Sequence, residues 1–215
     1  MNKSFLITRP NHDDTTHYLF YWSKQLIEFA KKKGIFVFDL LGKKANKEEF
    51  TSYIHKKNPS LIVLNGHGAE DRVTGHDMQT IIKVGENDIL LKSRITYAIS
   101  CRSAKKLGPE SIKSGAKAYI GYSDDFIFFY EPTKITNPLN DNTARLFLEP
   151  SNELVSSLLK GNTVGESCER SKGHFRDNIK KLLTSESSDE SQVYVRYLWW
   201  NMRNQACLGD KNAVF

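Results

Sequence analysis

LIVLNGHG, from Leu61 to Gly68, and ITYAISC, from Ile95 to Cys101, decide the fold of this chain. Each opens with an unbroken apolar run of strand length. Such a run, without polar alternation, marks a strand covered on both faces, as in a parallel sheet. Each run also ends on a chemically versatile side chain, His67 or Cys101. Similar runs recur at Ser4 to Thr8 (SFLIT), Ile35 to Leu41 (IFVFDLL) and Ala116 to Tyr122 (AKAYIGY).

Helical patterns lie between these runs. Leu19, Trp22, Leu26, Phe29 and Ala30 recur at three- and four-residue spacing; Lys31, Lys32 and Lys33 fill the last turn and Gly34 supplies the cap. Asn46 to Lys57 reads as a second, more polar helix, and Ser103 to Ser114 as a third, interrupted at Gly108-Pro109 and capped by Gly115. The alternation predicts an α/β fold: a doubly wound, mostly parallel β-sheet flanked by helices. A single domain over residues 1–215 is expected. Met78 to Ile82 and Ile89 to Ser93 are too short to assign. Phe126 to Asp141 reads as a long loop suited to covering a cleft. Asn142 to Leu159 and Thr163 to Leu183 read as helices, Ser185 to Ser191 (SESSDES) as a polar surface turn, and the aromatic stretch from Val193 as a helix or strand.

The 215 residues are 39% hydrophobic with a formal charge of +6. No apolar run approaches the roughly 20 residues of a membrane span, and the first residues lack the apolar region of a signal peptide. No membrane association and a cytoplasmic location are therefore expected. Basic and acidic residues are interspersed and no aromatic–basic module is recognisable, so nucleic acid is not an expected partner. Three widely separated cysteines, Cys101, Cys168 and Cys207, argue against a disulfide framework.

In open α/β sheets, sites form at the carboxyl ends of strands, where His67 and Cys101 both fall. A thiol at the start of a helix has its thiolate favoured, and a nearby imidazole can take its proton and return it to a leaving amine. That is the equipment for amide hydrolysis. Glycines on both sides of His67 let the backbone come close to a substrate, and the N–H groups of Gly68 and Cys101 form a candidate oxyanion hole.

The strand–GHG and strand–SC pair, with GAKAYIGYSDD and the closing LWWNMRNQACLGDKNAVF, resembles the clan CD cysteine peptidases: caspases, metacaspases, gingipains, separases and CHAT-domain proteins. The look is closest to CHAT-domain, separase and gingipain-like members. The resemblance implies an endopeptidase with His67 as general acid/base and Cys101 as nucleophile, and with no organic cofactor or metal. Its expected partners are a protein or peptide substrate and a regulatory or activating protein. It names no third member of a triad. Asp124 and Asp125 resemble separase acids that bind a substrate Arg, and Asp13 and Asp14 resemble acids in the metacaspase pocket, so cleavage after Arg or Lys is implied. Ser-Cys-Arg replaces the caspase Ala-Cys-Arg-Gly, which speaks against aspartate specificity.

Plainer roles compete for each of these residues. Asp124 and Asp125 suit a solvated turn, and Asp13 or Asp14 suits a helix cap. His76 with Asp77 is a second candidate base and orienter. His12 and His17 are too far apart on a helix to share a metal, and no Cys/His spacing suits zinc. Cys168, Cys207, Trp22, Trp199 and Trp200 read as packing residues. The rival readings are a catalytically silent interaction module of the same fold and a nucleotide-binding doubly wound domain, although no phosphate-binding glycine motif follows the first strand.

Overall fold

A computed structural model describes residues 3–184 and 189–215. The polar turn expected at Ser185 to Ser191 lies largely outside them. Residues Ser4–Arg9 form β1, Asp14–Lys32 α1, Phe36–Leu41 β2, Lys47–Lys57 α2, Leu61–Asn65 β3 and Ile95–Ile99 β7. Leu107–Lys113 form α3, Ala118–Tyr122 β8, Asn142–Leu159 α4, Val164–Leu182 α5, Asp189–Asn204 α6 and Gln205–Gly209 β9. The short strands β4 (Gly68–Ala69), β5 (Arg72–Thr74) and β6 (Thr80–Lys83) build a separate three-stranded antiparallel sheet in the excursion after His67.

The main sheet has six strands in the order β2-β1-β3-β7-β8-β9, parallel except for β9, which closes the edge antiparallel to β8. The doubly wound expectation holds because the inner strands β1, β3, β7 and β8 bury both faces; β2, expected to be covered likewise, is an edge strand that leaves Phe36 and Leu41 exposed. Phe5, Ile7, Leu61, Val63, Tyr97 and Ile99 point into one cluster with Trp22, Leu26 and Leu158 of the α1 and α4 layer. Leu6, Ile62, Leu64 and Ala98 point into the other with Phe50, Ile54 and Leu107 of α2 and α3. The two-residue period of a strand distributes its alternate apolar side chains in this way.

Local signals set most helix limits. Asp13 caps α1, its side chain accepting from the Thr16 N–H at 2.8 Å, while the Thr16 hydroxyl accepts from the Asp13 N–H at 3.1 Å. Thr163 and Glu166 make the same reciprocal box at α5. The third helix departs from expectation: Cys101 to Lys106 are turns, with Arg102 at φ 59°, and α3 begins only at Leu107. Ser103 is committed elsewhere, its hydroxyl accepting from Ser100 at 2.9 Å.

The expected loop from Phe126 is extended and then makes short turns at Pro132–Lys134 and Pro138–Asn140. Its anchor is Asp141, whose fully buried carboxylate accepts from the Tyr18 hydroxyl at 2.7 Å, the Glu131 N–H at 2.7 Å and the Ala144 N–H at 2.9 Å. Among the described residues, no helix is long and apolar enough to cross a membrane. Asp141→Ala takes an acceptor from three buried or part-buried donors, each lost partner costing about 1–3 kcal/mol before relaxation. Urea unfolding is expected to show a loss of about 2–4 kcal/mol; an unchanged midpoint would show that the anchor is dispensable.

Candidate active site

Strand pairing brings the two motifs together. In the β3–β7 ladder Asn65 lies opposite Ile99, and the Gly66 N–H donates to the Ile99 carbonyl at 3.3 Å. His67 and Cys101 are each two residues beyond that pair, so they emerge at one level from neighbouring strands. The contact is close: a Cβ on Gly68 would stand 2.8 Å from the Cys101 carbonyl oxygen and 2.9 Å from Ser100 Cβ. A Cβ on Gly66 would collide with the Thr74 carbonyl. The glycines around His67 are thus required by the chain's own packing.

The His67 ring is held from the β1 side. Its Nε2 is 2.6 Å from Asp13 Oδ2, across 54 residues of sequence. Asp13 therefore does two tasks, one oxygen capping α1 and the other binding His67. Burial pushes the Asp13 carboxyl up, but the Thr16 N–H, His67 and the Thr16 hydroxyl together hold it below its ordinary value. This pairing falls where strand order reverses between β1 and β3, the crevice in which doubly wound sheets place their sites. Asp13 is the partner of His67 that sequence spacing did not supply.

Cys101 is approached from the β8 side. Its Sγ is 3.9 Å from the Phe126 carbonyl oxygen. Burial raises the thiol pKa; the Phe126 backbone lowers it, the Asp125 carboxylate raises it and Arg102 lowers it, for a net upward shift. The expected helix N-terminus that would favour the thiolate is absent at this position, because α3 starts six residues later. The segment beside Cys101 is fixed by α6: Trp200 Nε1 donates to the Asp125 carbonyl at 3.0 Å, and Asn201 exchanges hydrogen bonds with Ile127 at 2.6 and 3.0 Å. Trp200 thus packs beside the candidate site, whereas Trp199 is an exposed surface residue with Arg203 over its ring.

The four candidate specificity acids do not share one pocket. Asp13 is engaged by His67, and Asp14 accepts from the Tyr130 hydroxyl at 2.8 Å. Asp125 is 2.6 Å and Asp124 3.8 Å from the Arg102 guanidinium. A pocket of about 310 Å³ opens beside Asp13 and Asp14, lined also by Asn11, His12, His17 and Ile135. The alternative base, His76, stays with Asn11 and Asp77, its Nε2 3.6 Å from Asp77 Oδ1, and packs against His12. Cys168 is buried, and a hydrogen bond from it pulls the half-buried Cys207 thiol down.

Six strands in this order, with an antiparallel last strand and helices on both faces, define the caspase-like α/β fold. The comparisons with solved structures give it particular neighbours. The crystal structure of gingipain R (RgpB), an Arg-specific cysteine proteinase, superposes with TM-score 0.62 at 10% identity over 99% of this chain and 47% of that one. The complex of pro- and mature RgpB domains from Porphyromonas gingivalis gives TM-score 0.61 at 9% identity over 99% and 48%. A structure described only as a protease gives TM-score 0.56 at 15% identity over 99% and 48%. The chain spans about half the length of these structures. No family model and no curated protein matches the sequence.

Replacing Asp125 with Asn removes a negative charge from beside Cys101 and leaves Arg102 in place. The pH profile for alkylation of Cys101 should shift to lower pH, because a group whose pKa is raised by a carboxylate falls back when that charge is neutralised. Alkylation must be mapped to Cys101 by mass spectrometry, since Cys207 is also a free, half-buried thiol. An unmoved profile would show that Asp125 does not bear on the thiol.

Proposed function

We propose that the chain is a cysteine endopeptidase in which Cys101 attacks the scissile carbonyl, His67 carries the proton and Asp13 positions His67. The observation that carries this reading is the β3–β7 register, which sets the GHG and SC backbones in contact while Asp13 fixes the ring between them and β1. The shared fold with gingipain R supports it at the level of architecture.

With Nε2 occupied by Asp13, Nδ1 is the nitrogen left to exchange a proton with the thiol. The proton passes from Sγ to Nδ1 as sulfur attacks, and the carboxylate stabilises the imidazolium that results. The N–H groups of Gly68 and Cys101 receive the developing oxyanion. The imidazolium returns the proton to the leaving amine, and water activated by the same ring hydrolyses the thioester. Peptide substrate binds without metal or organic cofactor in this scheme, and residues 1–215 act as one catalytic domain.

Cleavage after Arg or Lys rests on Asp124 and Asp125. In the free chain Arg102 supplies the counter-charge, exposed enough to swing aside, so a substrate guanidinium would replace an interaction the chain already makes. The raised Cys101 pKa is the one observation favouring the rival, a silent module of the same fold.

Mass-spectrometric mapping of cuts in a peptide library separates the two. Cys101→Ala and His67→Ala should each lower turnover by at least about 10³-fold while remaining folded. Asp13→Asn should lower kcat by about 10²–10⁴-fold. Paired replacement of Asp124 and Asp125 by Ala should remove the preference for Arg, at roughly 10²-fold in kcat/KM. Cleavage that survives Cys101→Ala sinks the enzyme assignment, and cutting after Asp sinks the specificity alone.

A further inference from the structure

His12, the residue before the α1 cap, makes no hydrogen bond through either ring nitrogen, although both are buried and its side chain is only 11% exposed. Two unpartnered imidazole nitrogens in a protein interior cost free energy, and native folds seldom leave such groups idle. What faces them is specific. His12 Nε2 stands 3.5 Å from Asp13 Oδ2, too long for a good hydrogen bond, and that same oxygen is 2.6 Å from His67 Nε2. One ligand atom from each of His12, Asp13 and His67 lies within 4.8 Å of the other two.

We propose that His12, Asp13 and His67 bind a divalent transition-metal cation, Zn²⁺ in particular, and that its occupancy switches the peptidase off by capturing His67. The effect on activity rests on the reading of His67 as the general base; the binding does not.

The geometry suits such an ion. Tetrahedral zinc with bonds near 2.0–2.2 Å spaces its ligand atoms about 3.3 Å apart. The observed 3.5 Å pair already meets that spacing, the 2.6 Å pair must open by less than about 1 Å, and the His12–His67 pair, within 4.8 Å, must close by at most about 1.5 Å. Two imidazoles and one carboxylate leave a fourth position for water and favour zinc or its first-row neighbours over Mg²⁺ and Ca²⁺, which prefer oxygen. Asp13 and His67 are 40% and 29% exposed, so the ion has a path from solvent. His76 packs edge-on to His12 at 5.3 Å between centroids, limiting how the His12 ring can turn.

Proton bookkeeping supplies the inhibition. On that reading His67 carries its proton on Nε2, facing Asp13, and keeps the Nδ1 lone pair for the thiol proton of Cys101. When the cation takes Nε2, that proton moves to Nδ1 and the ring becomes a neutral, metal-bound imidazole with no free lone pair. It can no longer accept the thiol proton. The ion also takes the Asp13 oxygen that stabilises the imidazolium.

The test is titration of the full chain with ZnCl₂ by calorimetry, in parallel with peptide cleavage, for wild type and His12→Gln. The expected result is one site in wild type, weakened at least about tenfold in His12→Gln. Cleavage should be zinc-sensitive in wild type, and in His12→Gln it should keep its metal-free rate and lose that sensitivity. Equal binding by both proteins, as cysteine ligation elsewhere would give, or no binding by wild type, overturns the site. Binding that depends on His12 without slowing cleavage overturns the inhibition. If wild type cleaves no peptide, the calorimetry alone decides the site and the failure belongs to the peptidase reading. If His12→Gln does not fold, zinc-edge anomalous density in wild-type crystals decides: a peak among His12, Asp13 and His67 supports the site and its absence there overturns it.

Discussion

Residues paired across a parallel ladder leave the sheet together, at the same height and on the same edge. That constraint underlies the candidate site. With Asn65 opposite Ile99, two further residues on each strand bring His67 and Cys101 to the same edge, where the Gly68 backbone meets Ser100-Cys101. A one-residue slip would move every side chain of β3 to the other face and separate the motifs. The register is held by apolar residues on both faces of both strands, so the core of the domain and the spacing of its reactive groups are the same physical fact. Gly68 follows from it, because the backbone there passes too close to Ser100-Cys101 to carry a side chain, while Gly66 is required by the approach of Thr74 in β5.

The second constraint is economy at Asp13. One carboxylate terminates α1 and orients His67, which ties the position of the ring to the start of a 19-residue helix packed across the sheet. On the opposite flank, Trp200 and Asn201 of α6 fix the segment that carries Asp125 and Phe126 against Cys101. The two reactive side chains are thus set from different layers, His67 from β1 and α1, Cys101 from β8 and α6. The Cys101 thiol is disfavoured as an anion by burial and by Asp125.

Much of this was legible in the sequence because the inner strands are buried on both faces and so read as plain apolar runs, and the edge strand β2 is apolar too although it is partly exposed. β1, β2, β3, β7 and β8, the helices between them and the two motifs at strand ends follow from such local patterns. β4 to β6 did not, since strands of two to four residues carry too little periodicity to read. The start of α3 was misread because Ser103, a good cap by type, spends its hydroxyl on Ser100 and Arg102 turns the chain into the left-handed region. The cap at Asp13 was readable from its four-residue context, whereas its bond to His67 joins residues 54 apart and leaves no trace in spacing. The same separation hid the approach of His12 to His67, and the division of the four acids between two flanks of the site.

The central claim is that Asp13 acts on catalysis only through His67. A double-mutant cycle on acylation by a peptidyl-arginine ester, using Asp13→Asn, His67→Gln and the pair, measures it directly. The account predicts strong non-additivity, with the double variant no slower than His67→Gln alone. Independent, additive losses would contradict it.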